Sequence, residues 1–458
     1  MQQVDLLNGR IVPSLAKLAF PIMGTSLIQM AYNMTDMIWI GRVSSGAVAA
    51  VGAAGMYLWL ANGLASIPRM GGQVKAAHAL GAGDRGSAAD FTAAALQMTL
   101  GLTALCTVLY LVFNKPLIGF FRLNQAQVVA DARTYLIIVA AGLVFSFLNQ
   151  TFTGIFTAMG NSVVTFRATA VGLAVNIVLD PLLIFGLGPV PALGVAGAAL
   201  ATVLAQAIVS ALFLWAARQE QTLFPQVKLF RRTRRAAWAG ILRIGLPVAL
   251  QNIFFSSLSM IIARLIAGWG DDAVAVQKVG SQIESISWMT AEGFATAVNA
   301  FVAQNFGAGK RDRIRRGVWS AFGLMSLWGL GTSLVLILFP QTLFRIFIPD
   351  PAVLPMGVDY LRILGLSQLF MCMESVVGGA FQGMGRPLPP TVISVIFNAA
   401  RIPLALALSA TALGLNGVWW AITLSSTLKG LIMPLWFAGV LSHYLRAGKK
   451  SLPANGGA

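Results

Sequence analysis

The sequence predicts an all-α polytopic membrane protein of about twelve crossing helices, arranged as two pseudo-symmetric bundles of six. Three observations carry that reading: long apolar runs recur from Leu15 almost to the C-terminus, Lys and Arg crowd into alternate loops, and the second half repeats the first. With 57% hydrophobic and only 10% charged residues, the 458-residue chain has too few polar side chains to cover a water-facing surface. No stretch is left for a sizeable soluble domain. The first ten residues hold Asp5 and a single Arg, with no short apolar core before a small-residue cleavage site, so the first helix is expected to stay as an anchor.

In order, the predicted spans are 15–41, 47–79, 88–113, 128–158, 162–187, 193–217, 240–269, 273–306, 314–340, 353–383, 388–411 and 415–442. They divide the chain into an N-lobe (1–217), a basic linker (218–239) and a C-lobe (240–458). Gly81-Ala82-Gly83 and Gly307-Ala308-Gly309 each follow a long apolar run and precede charged residues, which marks them as helix stops. Neither has the spacing of a nucleotide-binding loop. Cys106 and Cys372 lie far apart inside apolar runs and read as small core residues, not as a disulfide or a metal pair.

The net charge of +17 invites a nucleic-acid reading, but the basic residues sit between apolar spans and form no single aromatic-interleaved face. With the N-terminus inside, the inner loops hold Arg218, Lys228, Arg231, Arg232, Arg234, Arg235 and Arg243, then Lys310, Arg311, Arg313, Arg315 and Arg316, then Lys449 and Lys450. Opposite loops hold little beyond Arg42, Lys115, Arg122 and Arg345. The asymmetry predicts a multi-pass protein of a bacterial inner membrane with both termini in the cytoplasm.

Pro21 and Pro247 open matching segments, as do Ala47-Val48-Ala49 and Ala273-Val274-Ala275. The two Gly-Ala-Gly stops keep the same shift, and Ala158-Met159-Gly160 answers Gly383-Met384-Gly385 after a one-residue slip. Because an even number of crossings separates the copies, both halves share one orientation, as in transporters built from parallel repeats, and the interface between them is the expected substrate cavity. The differences between the copies are informative. Asp36 lies in span one, Asn176 and Asp180 in span five and Thr202 in span six, whereas their counterparts are Ile262, Asn398, Ile402 and Ile422. Three oxygen-bearing positions have become isoleucine, so the scaffold tolerates hydrocarbon there.

A charged Asp near mid-membrane costs on the order of 2.5–3.5 kcal/mol, so two of them demand water, a partner, a cation or a proton. Topology places Asp36, Asp180 and Thr202 at comparable depth in the outer leaflet. Asn33 and Asn176 lie three and four residues from the two carboxylates, on the same helical faces. Burial and a like charge nearby both favour a neutral carboxyl, which suits proton uptake and release. The same oxygens suit a dehydrated sodium ion equally well, and simple hydrogen-bonded packing is the competing structural reading.

Asp36-Met-Ile-Trp-Ile-Gly-Arg42, Gly154-Ile-Phe-Thr-Ala-Met-Gly-Asn161, Asn176-Ile-Val-Leu-Asp-Pro181 and Leu193-Gly-Val-Ala-Gly-Ala-Ala-Leu-Ala-Thr202 together resemble the multidrug and toxic compound extrusion (MATE) family of secondary transporters. The resemblance runs over nearly the whole chain. It implies two six-helix bundles around a V-shaped cavity, antiport driven by protons or sodium, and a cation site at Asp36, Asn176, Asp180 and Thr202. It also implies a conformational role for Pro21, matching a proline whose bending follows protonation in some relatives. Sodium-coupled NorM-type relatives place acidic residues in helices seven and ten, where this chain has Ser256 and Met371. It is therefore more similar to the DNA-damage-inducible (DinF-type) branch, which favours protons. Glu374, one turn from Met371, keeps a displaced C-lobe carboxylate open.

Further intramembrane charges are Arg264, Glu284, Glu292, Glu374 and Arg401, with Arg264–Glu284 and Arg401–Glu374 as expected structural pairs and substrate binding as the alternative. Met30, Tyr32, Asn33 and Met34 share span one with Asp36 and are nominated as substrate contacts, in competition with plain packing. The expected function is export of amphipathic or cationic small molecules, hence drug resistance, by a monomer using no cofactor beyond its coupling ion. The rivals are a flippase for lipid-linked or amphipathic metabolites and a receptor without turnover. An enzyme is disfavoured, because no nucleophile–base pair or metal-ligand cluster is apparent and His78 and His443 lie near helix ends.

Overall fold

The computed structural model describes residues 4–450, apart from 122, 124, 187–190, 232 and 349. Of the predicted loop charges, Arg122 and Arg232 lie outside the described residues, as do the side chains of Lys449 and Lys450. The described residues contain fourteen α-helices, one 3-10 turn (Phe224–Gln226) and no strand. The helices are α1 (Ile11–Val43), α2 (Ser45–Gly81), α3 (Arg85–Gly119), α4 (Ala126–Ala158), α5 (Ser162–Phe185), α6 (Gly194–Gln219) and α7 (Arg235–Ala267) in the first part. They continue with α8 (Asp271–Gly307), α9 (Arg311–Leu338), α10 (Pro340–Arg345), α11 (Leu354–Gly365), α12 (Gln368–Gly383), α13 (Leu388–Ser409) and α14 (Leu415–Lys450).

Ten of these are long and apolar enough to cross a membrane. The remaining two of the twelve predicted spans differ in kind. Span ten is broken into α11 and α12, which pass the same criterion together but bend by 43°. The cause lies in the join, where the Ser367 hydroxyl bonds back to the Leu364 carbonyl at 2.8 Å just after Gly365 and competes with helical pairing. Span eight, α8, has 37 residues but carries Asp272, Lys278, Glu284 and Glu292, so its apolar content is low. The short α10 after span nine begins at Pro340, which cannot continue α9.

Helix ends follow local chemistry. The Asp84 side chain caps Ser87 N–H at the start of α3. Gly83, Gly160, Gly309 and Gly385 take positive φ just past helices, so both predicted Gly-Ala-Gly stops do end their helices.

The chain forms two compact units: one comprises Met1–Val4 and Phe20–Ala249, the other Asp5–Ala19 and Leu250–Ala458. Each takes one segment from beyond the linear halves. In the second unit, Leu6, Leu15 and Leu18 are fully buried, and the carbonyls of Leu6 and Leu7 accept from Asn305 Nδ2 and Lys310 Nζ at 3.0 Å. In the first unit, the opening turns of α7 close onto α2 because two glycines lack side chains. A Cβ on Gly71 would stand 2.3 Å from the Ile241 carbonyl oxygen, and one on Gly245 would stand 2.2 Å from that of Ile67. A broad apolar cluster of the first unit draws on α1 to α6 around Tyr110, Tyr135 and Phe147. In the second unit, Tyr360 and Trp419 anchor another, drawn from α8, α10, α11 and α14.

Candidate functional site: a buried carboxylate pocket in the first unit

Helix α1 delivers Tyr32 and Asp36, α5 delivers Asn176 and Asp180, and α6 delivers Thr202 and Gln206. Asn176 and Asp180 stand one helical turn apart and are fully buried, and Asn176 Nδ2 donates to Asp180 Oδ1 at 3.0 Å. Asp36 is within electrostatic reach of Asp180. The Tyr32 hydroxyl faces Thr202 and Gln206 and senses both carboxylates, but it closes no hydrogen bond of ordinary geometry. Buried Tyr135, from α4, lies within electrostatic range of Asp36, Tyr32 and Asp180.

The unsatisfied atoms define what the pocket can do. Asp36 Oδ1, Asp180 Oδ2, Asn176 Oδ1, Thr202 Oγ1 and the Tyr32 hydroxyl are all buried without a hydrogen-bond partner. Among the described residues neither carboxylate has a cationic side chain within ion-pair distance. Buried oxygens in that state cost free energy unless a proton or a hard cation joins them. No group of three or more His, Cys, Asp or Glu that could hold a metal ion occurs among the described residues.

The sequence-predicted residues separate into those the fold gathers and those it does not. Asp36, Asn176, Asp180, Thr202 and Tyr32 are gathered. Asn33 is exposed and makes no hydrogen bond to either carboxylate, so three-residue spacing on α1 does not turn it into the pocket. Met34 is also exposed, at 43%, and Met30 is half-buried. Pro21 sits inside α1, where the Thr25 hydroxyl donates to its carbonyl at 2.9 Å. Tyr135 and Gln206 were missed. A tyrosine and a glutamine in apolar spans were available signals, but only the packing of α4 and α6 aims them here. The second-half counterparts Ile262, Ile402 and Ile422 gather instead in an apolar cluster with Ala405 and Val418.

The charges of the second unit pair differently from expectation. Glu374 Oε2 is bridged by Lys429 Nζ at 3.0 Å and Glu374 Oε1 accepts from the Ser394 hydroxyl at 3.2 Å, so its partner is Lys429 and not Arg401. Arg401 donates to the hydroxyls of Ser425 and Ser426. Glu284 is held by Tyr360 and Gln368 instead of Arg264, which is exposed near the end of α7. Glu292 lies within electrostatic range of Lys429. Helix packing explains the exchange: α12 packs on α14, which brings Glu374 to Lys429, a residue the sequence reading passed over.

A bundle of long apolar helices that gathers unsatisfied side-chain oxygens in its interior is the architecture of a membrane carrier. The sequence matches the MatE family over residues 21–182 and again over 247–407, one match per repeat, and the chain belongs to this family of multidrug efflux transporters. Its members are transporters and not enzymes. The chain is similar to a probable multidrug resistance protein NorM of Thermotoga maritima, with 27% identity over 428 residues covering 92% of this chain and 91% of that protein. It is also similar to an FAD transporter of Shewanella oneidensis, at 24% over 429 residues, 93% of this chain and 94% of that one. Among solved structures, an outward-facing multidrug resistance MATE family transporter of the MOP superfamily shares the fold, with a TM-score of 0.90 at 23% identity over 97% of this chain and 99% of that one.

Proposed function

We propose that this protein exports amphipathic or cationic small molecules across a bacterial inner membrane in exchange for protons, with Asp36 and Asp180 as the coupling site and both termini in the cytoplasm. The observation that carries the reading is a cluster of five buried oxygens lacking donors, one from each of Asp36 and Asp180, with no cationic side chain among the described residues to compensate the two carboxylates. Protons arriving from outside neutralise the pair, let Asn176, Thr202 and Tyr32 close their hydrogen bonds, and alter α1 near Pro21. Cytoplasmic substrate binding then accompanies proton release. Each proton moving down about 100 mV supplies roughly 2.3 kcal/mol before any pH gradient is added. A monomer of two functional lobes, 1–217 and 240–458 joined by the basic linker, suffices for the cycle, and no cofactor beyond the coupling ion enters it.

Efflux of ethidium from vesicles under an imposed proton or sodium gradient, normalised to protein amount, tests this reading. Proton-driven efflux lost in Asp36→Asn and Asp180→Asn supports it. Sodium-driven efflux moves the coupling ion to sodium at the same oxygens, and full activity in both variants removes the site.

A second reading, export of an amphipathic metabolite with an anionic group, is favoured by the second unit. Among the described residues Arg401 has only serine hydroxyls as hydrogen-bond partners, and the Shewanella relative is an FAD transporter. Competition of anionic dinucleotides against ethidium efflux distinguishes the two.

A further inference from the structure

Three carboxylates within the spans of the second unit, half-buried Glu284 and Glu374 and exposed Glu292, differ in how they are compensated. Glu374 is closed by the Lys429 ammonium, and Glu292 lies within range of the same ammonium. Glu284 has neither arrangement. Its Oε1 accepts from the Tyr360 hydroxyl at 2.7 Å and its Oε2 from Gln368 Nε2 at 3.1 Å, and no cationic side chain stands within ion-pair distance among the described residues. Tyr360 and Gln368 are both fully buried. The Gln368 side-chain oxygen Oε1 is buried without any donor.

The first unit holds the same residue types, although Tyr135 acts there at electrostatic range, without the hydrogen bond that Tyr360 makes to Glu284. There Asn176 donates its amide N–H to Asp180 while its own oxygen is left without a donor, beside a buried tyrosine. Each tyrosine stands 25 residues ahead of the positive-φ glycine that ends its span, Tyr135 before Gly160 and Tyr360 before Gly385. The two tyrosines are thus counterparts in the repeat. The carboxylates are not: Asp36 and Asp180 come from α1 and α5, whose second-half counterparts are isoleucines, whereas Glu284 comes from α8. A carboxylate, a carboxamide with an idle oxygen and a tyrosine have been assembled twice from different helices.

We infer that Glu284, with Tyr360 and Gln368, is a second exchangeable-proton site, carried by the second unit. The chemistry follows from the amide. With Glu284 ionised, Gln368 offers N–H and Tyr360 offers O–H, as observed. With Glu284 protonated, rotation of the Gln368 amide presents its idle oxygen to the new O–H, so the network is satisfied in both states. The groups facing Glu284 are Tyr360 from α11, Gln368 from α12 and, at longer range, Arg401 from α13, itself acted on by Glu374. From α8 itself Gln277 Nε2 reaches the Tyr360 hydroxyl at 3.5 Å, and Trp419 of α14 donates to Gln277 Oε1 at 3.0 Å. That chain ends on an indole packed edge-on against Tyr360 with ring centroids 5.1 Å apart.

The proton-binding claim rests on the second unit's geometry alone; its use in transport rests on the exporter reading above. Infrared difference spectra of the purified full chain in lipid nanodiscs, taken between acid and alkaline buffer, separate them. A protonated-carboxyl band is expected that survives in Asp36→Asn/Asp180→Asn and is lost in Glu284→Gln. Tyr360→Phe, which leaves Glu284 in place, is expected to shift that band by removing one donor. In vesicles, Glu284→Gln is expected to lower the number of protons exchanged per substrate while transport continues. An unchanged infrared spectrum in Glu284→Gln overturns the site. Should that variant not fold, a Tyr360→Phe spectrum identical to the parent's overturns it. Loss of proton-driven efflux in the parent chain, with the Glu284 band present, overturns the exporter reading and leaves the site standing.

Discussion

Replacing Lys429 by methionine removes the ammonium that compensates Glu374 and tests whether the second unit depends on that pair. The N···O distance of 3.0 Å corresponds to roughly 5.5 kcal/mol of attraction at an effective dielectric of about 20. Both side chains are largely buried, at 7% and 15% exposure, so little of this is screened by solvent. Two groups soften the loss: the Ser394 hydroxyl still donates to Glu374, and Arg401 remains within electrostatic range. Lys429→Met is therefore expected to cost about 3 kcal/mol, the lower end of the usual range of about 3–5 for stranding one buried partner. Glu374→Gln/Lys429→Met, which strands no charge, should recover most of that loss. Thermal unfolding of the parent, Lys429→Met, Glu374→Gln and the double variant in detergent measures the cycle. A single variant that loses under about 1 kcal/mol, or a double variant no better than the worse single, refutes the reasoning.

Two further expectations concern packing and pH. Gly245→Ala forces a Cβ to within 2.2 Å of the Ile67 carbonyl oxygen and should destabilise by about 1–3 kcal/mol, whereas Gly52→Ala, with nothing within 4 Å, should be neutral or gain up to about 1 kcal/mol; thermal unfolding compares them. At the end of α6, burial pushes the Glu220 carboxyl up, but hydrogen bonds from Thr222, Leu223 and Phe224 outweigh it and hold its pKa below the ordinary value. A lowered carboxyl pKa stabilises above the unfolded value and is lost as pH falls through the folded one. Glu220→Gln should thus cost about 1–2 kcal/mol at neutral pH and nothing in strong acid, read as the pH dependence of the unfolding midpoint.

Which parts of the molecule were legible in its sequence follows from the range of the forces involved. Span lengths and helix stops depend on neighbours along the chain, so α1–α7 lie close to their predicted limits and the Gly-Ala-Gly stops fall where expected. The repeat showed that hydrocarbon is tolerated at Ile262, Ile402 and Ile422, and these three pack together in one apolar cluster. The gathering of Asp36 and Asp180 was legible because burying two carboxylates singles them out against an apolar background. Pairing in the second unit was not legible. Several charges share those spans, and which of them meet depends on helix neighbours and on rotation about each axis. Thus Glu374 met Lys429, and Arg264 turned outward. Asn33 fails for the same reason, since residues three apart diverge by about 60° around a helix. The break at Ser367 rests on one hydroxyl returning to a carbonyl, which composition does not reveal.

The proposed exchange of a proton for substrate at Asp36 and Asp180 is tested most directly by adding ethidium to the purified protein in weakly buffered detergent and following pH with an indicator dye. Proton release on binding, absent from Asp36→Asn/Asp180→Asn protein that still unfolds cooperatively, is the predicted result. Equal release from both proteins, or binding by the parent with no proton released at any pH, contradicts it.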